Sequence, residues 1–207
     1  DAHALVPKCK EADPVEGHEY VIGLDTSTGS SSGHPAGIAI IDLSTEPATQ
    51  VYEWIGRVPT DTQAEMVVEL QRRYPGLIVC ERNYPGDAIL QLLRRWGVSG
   101  VYRHRDKEMV EHMGKKNRRK PGFPTSAQTK PRLFTDLSTS LSRGELQLCG
   151  MHTIGDLKGM QYNDDDRIEY LGHAGADQIR GAQTHGELAI AIALAWHGRK
   201  TVGPGVA

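Results

Sequence analysis

The chain has 207 residues, 38% of them apolar and 24% charged, with 24 lysines and arginines against 26 acids. That composition suits one substantial domain and lies far from the low-hydrophobicity, high-charge pattern of disorder. A formal charge of -2 excludes a globally basic nucleic-acid or membrane-surface binder, so any such role has to come from a local patch. The sequence contains no apolar run long enough to predict a transmembrane helix, and residues 1–20 lack the apolar stretch of a signal peptide. Cys9, Cys80 and Cys149 are widely spaced and odd in number, which points to unpaired thiols in a reducing compartment and to no zinc-site spacing.

Residues 1–19 read as a linker or tail. Tyr20 to Asp25 is a short apolar run of the kind a buried strand requires. A serine- and glycine-rich loop, Thr26 to Pro35, leads to a second strand at Ala36–Leu43 and a third at Val51–Val58. Short connections between them predict an antiparallel meander. The period then changes. Thr62 and Glu65 have capping-box spacing, and Met66, Leu70 and Tyr74 recur every four residues, so 62–74 is an amphipathic helix stopped by Pro75-Gly76. Leu77 to Glu81 is a fourth strand. Asp87 is the expected N-cap of a helix whose apolar face is Ile89, Leu92, Leu93 and Trp96, with Gly97 as its stop. Val98–Tyr102 is a candidate fifth strand.

Residues 103–132 are strongly charged, carry Pro121, Pro124 and Pro131, and contain the basic run Lys115 to Lys120. Leu133, Leu137 and Leu141 mark a helix ended by Arg143-Gly144. Residues 150–183 are polar and turn-rich, with an acidic knot at Asp164, Asp165 and Asp166. Glu187 to Trp196 is apolar on every side after its first residue and should be a helix inside the core. Residues 199–207 read as a flexible tail. The order predicts one α/β domain over 20–198, a central mixed sheet of five or more strands flanked by helices, with the fourth strand parallel to the first.

Three acids occupy odd places: Asp25 and Glu81 each end an apolar strand, and Glu187 opens a helix with no other acid. If strands one and four are parallel neighbours, Asp25 and Glu81 emerge side by side at their carboxyl ends, where open sheets bind ligands. Two close carboxylates repel and burial raises their pKa values, a conflict that a divalent cation removes. Oxygen-only ligands favour magnesium or manganese over zinc. Three carboxylates can hold two such ions, about 4 Å apart, around a phosphodiester.

In that order, IGLDTSTG, IVCERN and HGELAIAIALA resemble the nuclease domain of bacteriophage terminase large subunits, which belongs to the RNase H-like, retroviral-integrase superfamily. GFPTSAQTKPRLFTDLSTSLSRGELQL resembles the stretch those proteins carry before their last acidic motif. The likeness spans about residues 20–198. It implies a metal-dependent endonuclease that cuts concatemeric double-stranded DNA during packaging, with Asp25, Glu81 and Glu187 as catalytic metal ligands for two magnesium or manganese ions. It also implies a portal and a small terminase subunit as partners, in the host-cell cytoplasm. The third position departs from the pattern, since terminases usually show paired aspartates after the histidine where this chain has Gly186-Glu187. No G-x-x-x-x-G-K-[ST] occurs, so the ATPase motor half is expected on another part of the protein, with 1–19 as interdomain linker.

Each residue also has a plainer role. Asp25 can cap the loop that follows it, Glu81 can pair with Arg82, and Glu187 can complete a capping box with Thr184. His185 is an outer partner of the acids, a DNA contact or an ordinary loop histidine; the zinc-deaminase pattern H-x-E lacks its P-C-x-x-C here. Lys115, Lys116, Arg118, Arg119, Lys120 and Lys130 are candidate phosphate contacts or solvated loop charges. Cys80, inside a strand, should be inert. The alternatives are a junction-resolvase-like or recombination nuclease on the same fold, and a degenerate domain that only binds DNA or docks on a portal.

Overall fold

The computed structural model describes residues 12–105, 119–163, 167–171 and 185–202. Lys115, Lys116, Arg118, Thr184, Cys9 and the 164–166 acidic knot lie outside them.

The three-strand meander is present as β1 (Tyr20–Asp25), β2 (Ala36–Asp42) and β3 (Ala48–Gly56), with antiparallel pairing throughout. β4 (Gly76–Cys80) lies parallel to β1, with Leu24 opposite Cys80. Between them, α1 (Thr60–Arg73) provides the crossover that a parallel neighbour requires. The sheet order is β4-β1-β2-β3-β7, where β7 is Leu146–Gln147, parallel to β3. The architecture is therefore the mixed five-stranded sheet expected, but its fifth strand is β7 on the far edge. Val98–Tyr102 instead contributes one bridge, Val101 to Ile78, and two backbone hydrogen bonds along the outer edge of β4.

Alternation assigns the faces. Tyr20, Ile22, Leu24, Ile38, Ile40 and Ile78 point into a core closed by α1 and by α2 (Gly86–Arg95). Val21, Ala39, Ile41 and Val79 point to the other side. There they meet α3 (Thr129–Ser142) and the terminal helix α5 (Glu187–Gly198), which is buried around nearly its whole circumference as its composition predicts. No side chain separates α5 from β1 at Gly23, where an added Cβ would lie 1.9 Å from the Ala191 carbonyl oxygen.

Several local expectations are corrected. α1 starts two residues before Thr62, after Pro59, and no side chain caps it. α2 follows Pro85, so Asp87 sits inside the first turn, where its Oδ1 accepts from the Ala88 N–H at 2.9 Å. In both cases a proline with fixed φ precedes the first turn. Trp96 ends α2 largely exposed, and Gly97, at φ 69°, terminates the helix as expected. The polar stretch after 150 contains α4 (Met151–Gly159) and a hairpin of β8 (Met160–Tyr162) and β9 (Ile168–Tyr170). α4 is held from β3: buried Glu53 accepts from the Thr153 N–H at 2.9 Å and its hydroxyl at 2.7 Å, and Gln50 Oε1 accepts from the Gly150 N–H at 3.0 Å. A second hairpin joins β5 (Arg103–Arg105) to β6 (Arg119–Pro121). Past α5, Arg199 grips Asp136 through both guanidinium nitrogens, at 2.6 and 3.0 Å, and stacks on Trp196.

Candidate active site

Asp25 and Glu81 lie one step beyond the Leu24–Cys80 register of two parallel strands, and the Glu81 N–H donates to the Leu24 carbonyl at 2.9 Å. Alternation turns both toward the α5 face. The register alone thus brings the two carboxyl groups close enough for each to act on the other. Asp25 is buried. Its carboxyl is pushed well above the usual range, first by that burial, then by the Glu81 charge and hydrogen bond, and then by Glu187. Lys130, in the first turn of α3, pulls in the opposite direction. The loop after Asp25 is fastened by Gln63, fully buried in α1, whose Nε2 donates to the Ser27 carbonyl at 2.7 Å and the Val58 carbonyl at 2.8 Å.

Glu187 arrives on α5. Gly37, which pairs with Asp25 across β1 and β2, leaves no room for a side chain there, because a Cβ would lie 2.8 Å from the Glu187 backbone. That close approach seats the helix N-terminus beside Asp25. Gly186 precedes it at φ 90°, and a Cβ at this point would meet Met160 Sδ at 2.7 Å. A side chain at 186 is strained by that backbone conformation, and Met160 would have to shift to admit it. Asp156 on α4 accepts from the Leu188 N–H at 2.9 Å and holds the first turn of α5, at a helix end that favours anions.

The Glu187 carboxylate is divided in its contacts. Oε2 accepts from the His185 N–H at 2.7 Å, a local cap like the one expected with Thr184. Oε1 is buried without a hydrogen bond, with His34 Nδ1 3.6 Å away. Burial, followed in weight by the repulsion of Asp156, lifts its pKa to about 7 against the pull of two backbone hydrogen bonds. The structure brings Asp25 and Glu81 into contact and Glu187 within electrostatic range of Asp25. Among the described residues, no three Asp, Glu, His or Cys side chains stand close enough to hold one ion as they are oriented. The donor set still fits a hard divalent cation in kind: a buried carboxyl beside a half-buried one, and a third with an unpartnered oxygen.

The rest of the predicted set is distributed as follows. His185 packs its ring edge-on to His34 at 4.1 Å, and burial followed by the neighbouring His34 lowers its pKa. Arg119 and Lys120 lie exposed on β6, and Cys80 is fully buried, with its thiol pushed well up. Sequence reasoning missed His34, Gln63 and Asp156. His34 lies in the serine- and glycine-rich loop, Gln63 is a polar residue within the amphipathic helix α1, and Asp156 lies in a stretch read as irregular.

No protein-family model and no curated protein matches the chain. Solved structures do. The large terminase nuclease from thermophilic phage G20c with bound magnesium has a TM-score of 0.64 at 17% identity, over 89% of this chain and 84% of that one. The same nuclease is matched with bound cobalt and with bound zinc. The Thermus phage P74-26 large terminase nuclease domain has a TM-score of 0.66 at 16% identity, over 92% and 85%. The fold of this chain, a mixed sheet with helices on both faces, is the RNase H-like fold of the phage large terminase nuclease domains.

Proposed function

We propose that this chain is the divalent-metal-dependent endonuclease domain of a phage packaging terminase, cutting concatemeric double-stranded DNA. The observation that carries this reading is the closeness of Asp25 and Glu81, a buried and a half-buried acid set side by side by a parallel register. Such a pair is destabilising without a cation and serves no evident packing purpose. Asp25 and Glu81 would hold magnesium or manganese, and Glu187 would join through Oε1. The solved nucleases with magnesium, cobalt and zinc support a divalent site in this fold. Divalent ions held there supply an activated water and stabilisation of the leaving oxygen. The chain's own residues place that chemistry. Asp25 and Glu81 would hold the ion, Asp156 and Gly37 fix the start of α5, and Lys130 offers a positive charge to a phosphate beside Asp25. A motor domain, a portal and a small subunit would be its partners in the host cytoplasm.

The test is incubation of supercoiled plasmid with the protein and manganese. Nicking that EDTA and Asp25→Asn both abolish is expected, and full cleavage by Asp25→Asn would refute the assignment. A second reading, a domain that binds DNA without cutting it, is favoured by the capping engagement of Glu187 Oε2. It predicts a salt-sensitive gel shift and no cleavage with any metal.

A further inference from the structure

Basic residues that are scattered in sequence collect along one wall of the fold. At the outer edge of β4, the β5–β6 hairpin, the residue after Glu81, the first turn of α3 and the chain after α5 enclose a groove of about 690 Å³. Arg82, Arg105, Lys120, Arg132 and Lys200 line it, and among the described residues no carboxylate does. In a chain of formal charge -2 this is a marked local excess. Lys200 also reaches Asp136 at 3.1 Å, a carboxylate it shares with Arg199 outside the lining. The floor is aromatic: Phe123 packs edge-on against His197 at 4.7 Å, and the Tyr102 hydroxyl meets His197 Nε2 at 3.0 Å. Burial, with Lys200 close by, lowers the His197 pKa to about 4, so the rings add hydrogen-bonding surface and no charge at neutral pH.

Part of the groove wall is built from neighbours of the acid pair. Arg82 follows Glu81, and its N–H donates to the Phe123 carbonyl at 2.8 Å. Arg132 shares the first turn of α3 with Lys130, whose charge acts on Asp25. Five cations from five separate segments, without acids to read amino groups on bases, match a repeating anion better than a base sequence.

We infer that this groove binds the sugar-phosphate backbone of one DNA strand and leads it to the acid pair, without reading sequence. The inference rests on the nuclease reading for its direction, toward Asp25 and Glu81. Duplex and single-stranded DNA share the phosphodiester chemistry, and the experiment separates them.

Anisotropy of labelled oligonucleotides of about 30 nucleotides, duplex and single-stranded, is measured in EDTA so that nothing is cut, from about 50 to 200 mM salt. Arg105→Glu with Arg132→Glu is compared with Arg72→Glu with Arg95→Glu, exposed positions on α1 and α2 that change net charge equally. The groove pair should weaken binding about tenfold or more beyond the control pair and flatten the log–log salt slope by about 2. A loss on both DNA forms assigns the groove to a single strand's backbone, and a loss on duplex alone assigns it to a backbone within the helix. Equal binding by the groove and control pairs overturns the inference. Should the double variant melt early, Arg105→Gln alone, on the exposed hairpin, carries the same comparison. Plasmid cleavage is assayed in parallel. A protein that loses binding on groove reversal yet never cuts keeps the groove and loses the nuclease reading, whereas one that cuts with binding unchanged keeps the nuclease and loses the groove.

Discussion

Glu187→Gln tests the electrostatics of the site apart from catalysis. The substitution preserves shape, and the amide oxygen can still accept from the His185 N–H. It removes a carboxylate whose pKa rises from 4.5 to about 7, mainly through burial. At about 1.4 kcal/mol per pKa unit, that rise corresponds to about 3 kcal/mol. Because the folded value is raised, the folded state holds the proton more tightly. Its stabilising contribution is complete below pH 4.5 and is lost as the pH climbs through 7. Metal-free wild type should therefore fall relative to E187Q by about 3 kcal/mol between pH 4 and 8. Asp25 acts with the same sign but is present in both proteins. Urea unfolding followed by circular dichroism, in EDTA at several pH values, gives the difference directly. A difference that stays flat with pH, or a wild type that gains on E187Q as pH rises, would show that this carboxylate is not held in a dry site.

Asp25→Asn should lower manganese-dependent nicking by more than about 100-fold, since even outer partners of metal ligands contribute 10- to 100-fold; plasmid gels read this. Manganese should raise the wild-type Tm, as any ligand of the native state does, and Asp25→Asn should abolish the rise in a thermal scan. Leu137→Ala, at a fully buried position of α3, should destabilise by about 2–5 kcal/mol in urea without altering the metal-dependent Tm rise. Asp156→Ala should lose about 1 kcal/mol through the uncapped Leu188 N–H, seen in the same urea assay.

Much of the candidate site was legible because its first two acids depend on local patterns. Apolar runs located β1 and β4, the helix between them required a parallel pairing, and that pairing set Asp25 beside Glu81. α5 was visible for the same reason, as an apolar stretch too long for a strand. What was not legible depends on partners far along the chain. α4 has a weak apolar face, and its N-terminus is secured by Gln50 and Glu53 from a strand about a hundred residues earlier. A glutamate within VYEWI was the available sign that something polar would dock there. Thr62 and Asp87 had the composition of caps, but Pro59 and Pro85 already set where their helices begin. The basic groove had no counterpart in the sequence beyond Lys120, because its charges come from five segments and the most conspicuous run contributes only its last member.

At Gly23 and Gly37, α5 touches the sheet main chain against main chain. Side chains elsewhere in a core act as adjustable spacers, and a swap of one for another slides its neighbours by fractions of an ångström. Here no such spacer exists. The distance from the third acid to the first two is set by the thickness of the polypeptide itself, so this ruler stays constant however the surrounding sequence drifts.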